Sequence, residues 1–169
     1  MNRLTVAPGA CCFSGHRQIP EGQYEAIAAE TALWVRWLYQ QGVTRFYAGG
    51  ALGFDFIAAV TVINLRRELP ELRLTLAIPH RHYDRVWTEW DQERYRPVLR
   101  AADEVLYLYD DYRSWVMHSR NRYMVEHSTV CLCYMTEDGS GTGYTVSYAR
   151  KKGLTIINVA DAFRTEPRP

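Results

Sequence analysis

The chain lacks any apolar run near the ~20 residues that a membrane-spanning helix needs, and its first residues show no secretory pattern. Neither membrane insertion nor secretion is supported, and the cytoplasm is the expected location. It also lacks a CxxC pair. Cys11, Cys12, Cys131 and Cys133 fall in short apolar runs, so they read as reduced core residues and not as a disulfide or zinc framework. Net charge is nearly absent: 20 Lys plus Arg against 19 Asp plus Glu leave a formal +1. That balance argues against broad electrostatic binding of nucleic acid. Lysine occurs only at positions 151 and 152, so the cations are almost all arginine, suited to bidentate contacts with phosphate or carboxylate. Repeats, low-complexity tracts and linkers are missing too. With 169 residues, 47% of them apolar, residues 1–169 read as one domain with a frayed tail at 164–169.

What is present is alternation. The apolar runs "ACCFS" (10–14), "TRFYA" (44–48), "LRLTLAI" (72–78), "EVLYLY" (104–109), "TVCLCY" (129–134) and "LTIIN" (154–158) read as strands. Between them lie helix candidates. In 22–40, Ile27, Thr31, Trp34 and Leu38 share one stripe; in 51–68, Phe54, Ala58, Thr61 and Leu65 do the same. Further helices are expected near 88–101, 114–127 and 142–152, the first of these kinked or split at Pro97. Strands alternating with helices imply an α/β fold with a mainly parallel sheet of about five to six strands, covered on both faces. Ligands in such sheets bind beyond the carboxyl ends of the strands.

Those ends carry the unusual residues. "SGHR" places Ser14, Gly15, His16 and Arg17 after the first strand, with two donors for an anion. "AGGALGFD" follows the second. Gly49, Gly50, Ala51 and Gly53 would present backbone N–H groups at a helix start to an anionic ligand end. Asp55 would repel a phosphate, but it could accept from a ribose hydroxyl or complement the helix N-terminus. The spacing is not GxGxxG. The third end begins at Pro79. His80 and His82 lack a further placed ligand, so no metal is expected, and Trp87 and Trp90 suit aromatic walls. Arg120 and Asn121 lie on the fourth helix, Arg120 on a stripe with Met117 and Met124. It would pair either with Asp110 or Asp111 or with ligand charge. The fifth end, "GSGTG", brings Gly139, Ser140, Gly141 and Thr142 to another helix start, a second anion cradle. A ligand with phosphate and ribose is the simplest common cause. Tyr83, Trp87, Trp90, Tyr112 and Trp115 read as exposed, forming a lid or the face of a homo-oligomer.

Taken in order, "CCFSGHR", "GGALGFDFIAA", "RYRPVLRAADEV", "RNRYMVEHS" and "GTGYTVSYARKKG" resemble the SLOG superfamily, and within it the YpsA-like family. The resemblance implies a Rossmann-like three-layer α/β/α fold. It also implies a pocket for a nucleotide-derived molecule, related to NAD or ADP-ribose, with no cofactor required. Two relatives supply rival functions. The LOG phosphoribohydrolases carry MHxRK and PGGxGTxxE. Here "MHSRN" (117–121) is similar to the first and carries its functional arginine onto Arg120. The second motif survives only as "GSGT", and its catalytic Glu position is Thr145; Glu137 and Asp55 are the nearby carboxylates. The resemblance therefore leaves N-glycoside hydrolysis as an alternative to a sensor or sequestering module. DNA-processing protein A has a turn similar to "AGGALGFD", implying single-stranded nucleic-acid binding, which the near-neutral charge disfavours.

Overall fold

A computed structural model describes residues 4–165, and so residues 166–169 of the expected tail lie outside the described part. Within it, six strands alternate with five helices. The strands are β1 (Cys11–Gly15), β2 (Arg45–Ala48), β3 (Arg73–His80), β4 (Glu104–Tyr109), β5 (Val130–Tyr134) and β6 (Thr155–Asn158). The helices are α1 (Tyr24–Gln40), α2 (Phe54–Leu65), α3 (Glu89–Ala101), α4 (Val116–Glu126) and α5 (Gly141–Lys151). All pairings are parallel and the strand order is β4-β3-β2-β1-β5-β6, a Rossmann-like sheet. The order reverses between β1 and β5. That is where the strand ends open a crevice in folds of this type.

Alternation along the strands divides the core in two. On β1, Cys11 and Phe13 join the cluster beneath α1, α2 and α3, while Cys12 faces the one beneath α4 and α5. On β5, Val130, Leu132 and Tyr134 go one way and Cys131 and Cys133 the other. This two-faced burial is why those strands read as unbroken apolar runs. The α1 stripe buries Ile27, Thr31, Val35 and Leu38; Val35, not Trp34, is the fully buried member. α2 is buried nearly all round, Asp55 included.

Two expectations need correction. Pro97 neither splits nor ends α3, which runs unbroken from Glu89 to Ala101. Pro97 and Glu93 lie on its exposed side, where water satisfies the carbonyl that proline leaves without a donor. Tyr83 is buried and Trp87 is half-buried against Tyr95, so only Trp90, Tyr112 and Trp115 of the aromatic set are exposed.

The four cysteines are free thiols, each at most 1% exposed. Burial pushes the thiols of Cys11 and Cys133 up, that of Cys133 to about 12. None presents an accessible thiolate. Titration with a thiol reagent is expected to leave all four unlabelled in the native protein and to label them only after denaturation.

Candidate functional site

The largest assembly of the singled-out residues is a cleft of about 400 Å³ at the β1/β5 switch point. Its floor is the end of β1, where Ser14, Gly15, His16 and Arg17 all line the space. One wall is the start of α2, with Ala51 and Asp55. A second wall is α4, which presents Arg120 and Asn121 and meets the first where Arg120 reaches the Gly49 carbonyl. The far end is the first turn of α5, with Ser140, Gly141, Thr142 and Thr145. The structure therefore brings together eleven of the expected binding residues, from four elements widely separated in sequence. Gly49, Gly50, Gly53, Pro79 and Gly139 stand outside the cleft lining.

The reason lies in the glycine-rich turn itself. The Asp55 carboxylate folds back and accepts from the Gly49 N–H at 2.8 Å and from the Ala51 N–H at 3.0 Å. The anion in this backbone cradle is thus the chain's own acid, and two of the four amides expected to meet a ligand, those of Gly49 and Ala51, are engaged by it. Gly49 is small for another reason: a Cβ there would lie 2.5 Å from Arg120 Nη1. Gly53 has φ +76° and would drive a Cβ into the Arg17 carbonyl. At both glycines the missing Cβ makes room for close packing by an arginine, the Arg120 side chain at Gly49 and the Arg17 backbone at Gly53.

Arg120 is 5% exposed, and its partners are neither Asp110 nor Asp111. Its Nη1 donates to the Gly49 carbonyl and its Nε donates to Asn121 Oδ1 at 2.9 Å. Asp110 instead accepts from Arg81 at 2.9 Å. Arg17 reaches Tyr83, donating from Nη2 to its hydroxyl at 3.1 Å. Burial pushes the Asp55 carboxyl above its ordinary range; its bond from the Gly49 amide, the Arg120 charge, the Ala51 amide and the Arg17 charge all act the other way. His16 Nε2 accepts from the Thr136 N–H at 2.9 Å. In the neutral ring the proton therefore sits on Nδ1, and His16 brings a donor to the cleft.

The second cradle is open. Ser140 caps α5 by accepting from the Gly143 N–H at 3.3 Å, leaving the Gly141 and Thr142 N–H groups as first-turn donors that the helix cannot satisfy. Thr145 donates its hydroxyl to the Gly141 carbonyl at 3.2 Å. Glu137 lines a separate groove beside Arg150, so it supplies no carboxylate here. Met117, His118 and Met124 also line the cleft and were not assigned to it from the sequence as binding residues. The helical stripe that carried Arg120 held that signal. No group of three or more His, Cys, Asp or Glu side chains is placed to hold a metal among the described residues.

A parallel sheet with a cleft at its switch point defines a Rossmann-like α/β protein, and the comparisons narrow the class. The YpsA model, described as the YspA SLOG family, matches residues 21–156. The chain belongs to that family. It is 30% identical to the uncharacterized SPbeta prophage-derived protein YoqJ of Bacillus subtilis (strain 168) over 65% of this chain and 71% of that one. A UPF0398 protein of Brevibacillus brevis is 28% identical over 55% of this chain, which spans only 50% of that relative. Among solved structures, DNA processing protein A from Helicobacter pylori, described for its single-stranded DNA binding mode, superposes with TM-score 0.62 at 20% identity. That match covers 88% of this chain and 64% of the other, and shows the shared fold. No described helix is long and apolar enough to cross a membrane.

Proposed function

We propose that the cleft binds a nucleotide-like small molecule, such as NAD, ADP-ribose or another nucleotide derivative, and that the chain acts as a sensor or sequestering module. The observation that carries this reading is the asymmetry of the cleft. One end offers the unsatisfied amides of α5; the other offers the Asp55 carboxylate, with the Arg120 and Arg17 charges beside it. A phosphate suits the first end. A sugar hydroxyl suits the second, because each Asp55 oxygen already holding one N–H retains a lone pair.

Thermal shift with ADP-ribose, NAD and AMP tests the proposal, and Gly141→Asp is the discriminating variant. A Cβ at Gly141 meets nothing within 4 Å, and so the fold tolerates it. An acid there stabilises the first turn of α5 by about 0.3–1 kcal/mol while repelling a bound phosphate. The expected result is unchanged or raised melting temperature with affinity at least about tenfold weaker, or ~1.4 kcal/mol. No shift with any of these ligands would sink the binding reading.

N-glycoside hydrolysis is the alternative at the same cleft. In its favour, Asp55 is a carboxylate on the cleft wall and the Arg120 guanidinium lies on the same turn, at the Gly49 carbonyl. Against it, both Asp55 oxygens hold backbone amides and Thr145 offers no carboxylate. Release of free base from AMP, lost in Asp55→Asn, would favour the enzyme. A second reading, single-stranded nucleic-acid binding, draws on the fold neighbour and the exposed rings of Trp90, Tyr112 and Trp115. It requires affinity that falls steeply with salt.

A further inference from the structure

Behind the cleft wall lies a second, smaller cavity of about 100 Å³. Gly50, Ile78, Tyr83, Trp87, Tyr95 and Leu99 enclose it, between the end of β3, the turn at 83–86 and α3. The two spaces share a partition. Tyr83 lines the small cavity while its hydroxyl accepts from Arg17 of the cleft, and Gly50 precedes the cleft residue Ala51.

Two features set this cavity apart from a packing void. Its lining is aromatic on several sides: the Trp87 ring stands 5.6 Å from Tyr83 and 5.3 Å from Tyr95. And the Tyr95 hydroxyl, in a residue 2% exposed, has no hydrogen-bond partner among the described residues. A buried phenol without a partner is destabilising, and a packing void gives no reason to keep one. Charged groups join the lining: Arg81 lies over the Tyr107 ring at 5.4 Å and is held by Asp110, and Asp84 lines the same space, so the cavity is aromatic and polar together.

We infer that this cavity is a second binding subsite, taking one uncharged six-membered heteroaromatic ring whose polar edge pairs with the Tyr95 hydroxyl. Aromatic rings supply faces for stacking. The size is on the scale of the ~150 Å³ engineered void that takes benzene, and a nucleoside would not fit. Burial holds Tyr95 as a neutral phenol, which both donates and accepts. The subsite does not depend on the cleft reading, because the spaces share only a wall.

Ligand-observed NMR with nicotinamide and with uracil, alongside ribose 5-phosphate as the cleft probe, tests it. The expected result is saturable millimolar binding of a ring probe, weakened at least about tenfold by Tyr95→Phe and abolished by Leu99→Trp, which fills the space. Ribose 5-phosphate binding should be unchanged in both variants. Tyr95→Phe should also raise the melting temperature of the free protein, confirming that it folds. If neither ring saturates, or binding survives both substitutions, the subsite does not exist. Failure of ribose 5-phosphate alone counts only against the cleft.

Discussion

Gly53→Ala is expected to lower the stability of the protein by about 2–5 kcal/mol, the sum of two separable effects. Gly53 caps α2 with φ +76° and ψ −134°, backbone that an L-residue with a Cβ enters only under strain; left-handed backbone costs a non-glycine residue about 1–2 kcal/mol. The added methyl would also stand 2.5 Å from the Arg17 carbonyl carbon. That obstacle is backbone, fixed in turn because the neighbouring His16 carbonyl accepts from the Phe54 N–H at 3.1 Å. Overpacking against fixed atoms adds about 1–3 kcal/mol. Gly42→Ala separates the two effects, since Gly42 has φ +89° but open space around it. Urea denaturation should place Gly42→Ala near the strain value alone and Gly53→Ala well below it, both with unchanged slope. Equal losses would mean that the Arg17 segment yields and the turn is softer than it looks.

Asp55→Ala is expected to cost about 3–5 kcal/mol, because it strands two buried amides and removes the negative charge facing buried Arg120. Asp55→Asn keeps the shape. Its one carbonyl oxygen satisfies one amide, its NH₂ confronts the other, and the loss should be about 1–3 kcal/mol. Acidity gives a second readout. Burial raises the Asp55 carboxyl above 3.8, so between that value and its native value the folded protein holds a proton the unfolded chain has lost. Stability from this group is therefore greatest on the acid side and falls as pH rises through that window. Unfolding free energies measured against pH should show this falling component in the native chain and not in Asp55→Asn. Parallel curves would show that Asp55 does not titrate differently in the folded protein.

Much of this architecture was readable in the sequence. Each strand begins one residue later than its apolar run, or in β4 at the same residue; in the central β1 and β5, burial on both faces makes apolarity itself the signal. Ser14–Arg17, Arg120 and Ser140–Thr142 were legible because strand-end position, not side-chain detail, brings them to the cleft. What sequence could not reveal was how polar groups pair within that space. Asp55 four residues after Ala51 looks the same whether it faces a ligand or folds onto the turn; only the backbone path of Gly49–Gly53 decides. Arg120 was weighed against carboxylates close in sequence, yet its partner is a carbonyl 71 residues away. Glu137 sits three residues before Ser140 in sequence, yet lines another groove in space, beside Arg150.

That 71-residue bond from α4 to the β2–α2 turn has a consequence for the chain as a whole. The cleft draws on segments near positions 14–17, 51–55, 117–124 and 140–145, so no fragment shorter than 13–145 contains it. Its walls meet only after long loops have closed, each closure opposed by chain entropy. A nascent or truncated copy that stops short of α5 therefore has pieces of the cleft but not the place where they meet.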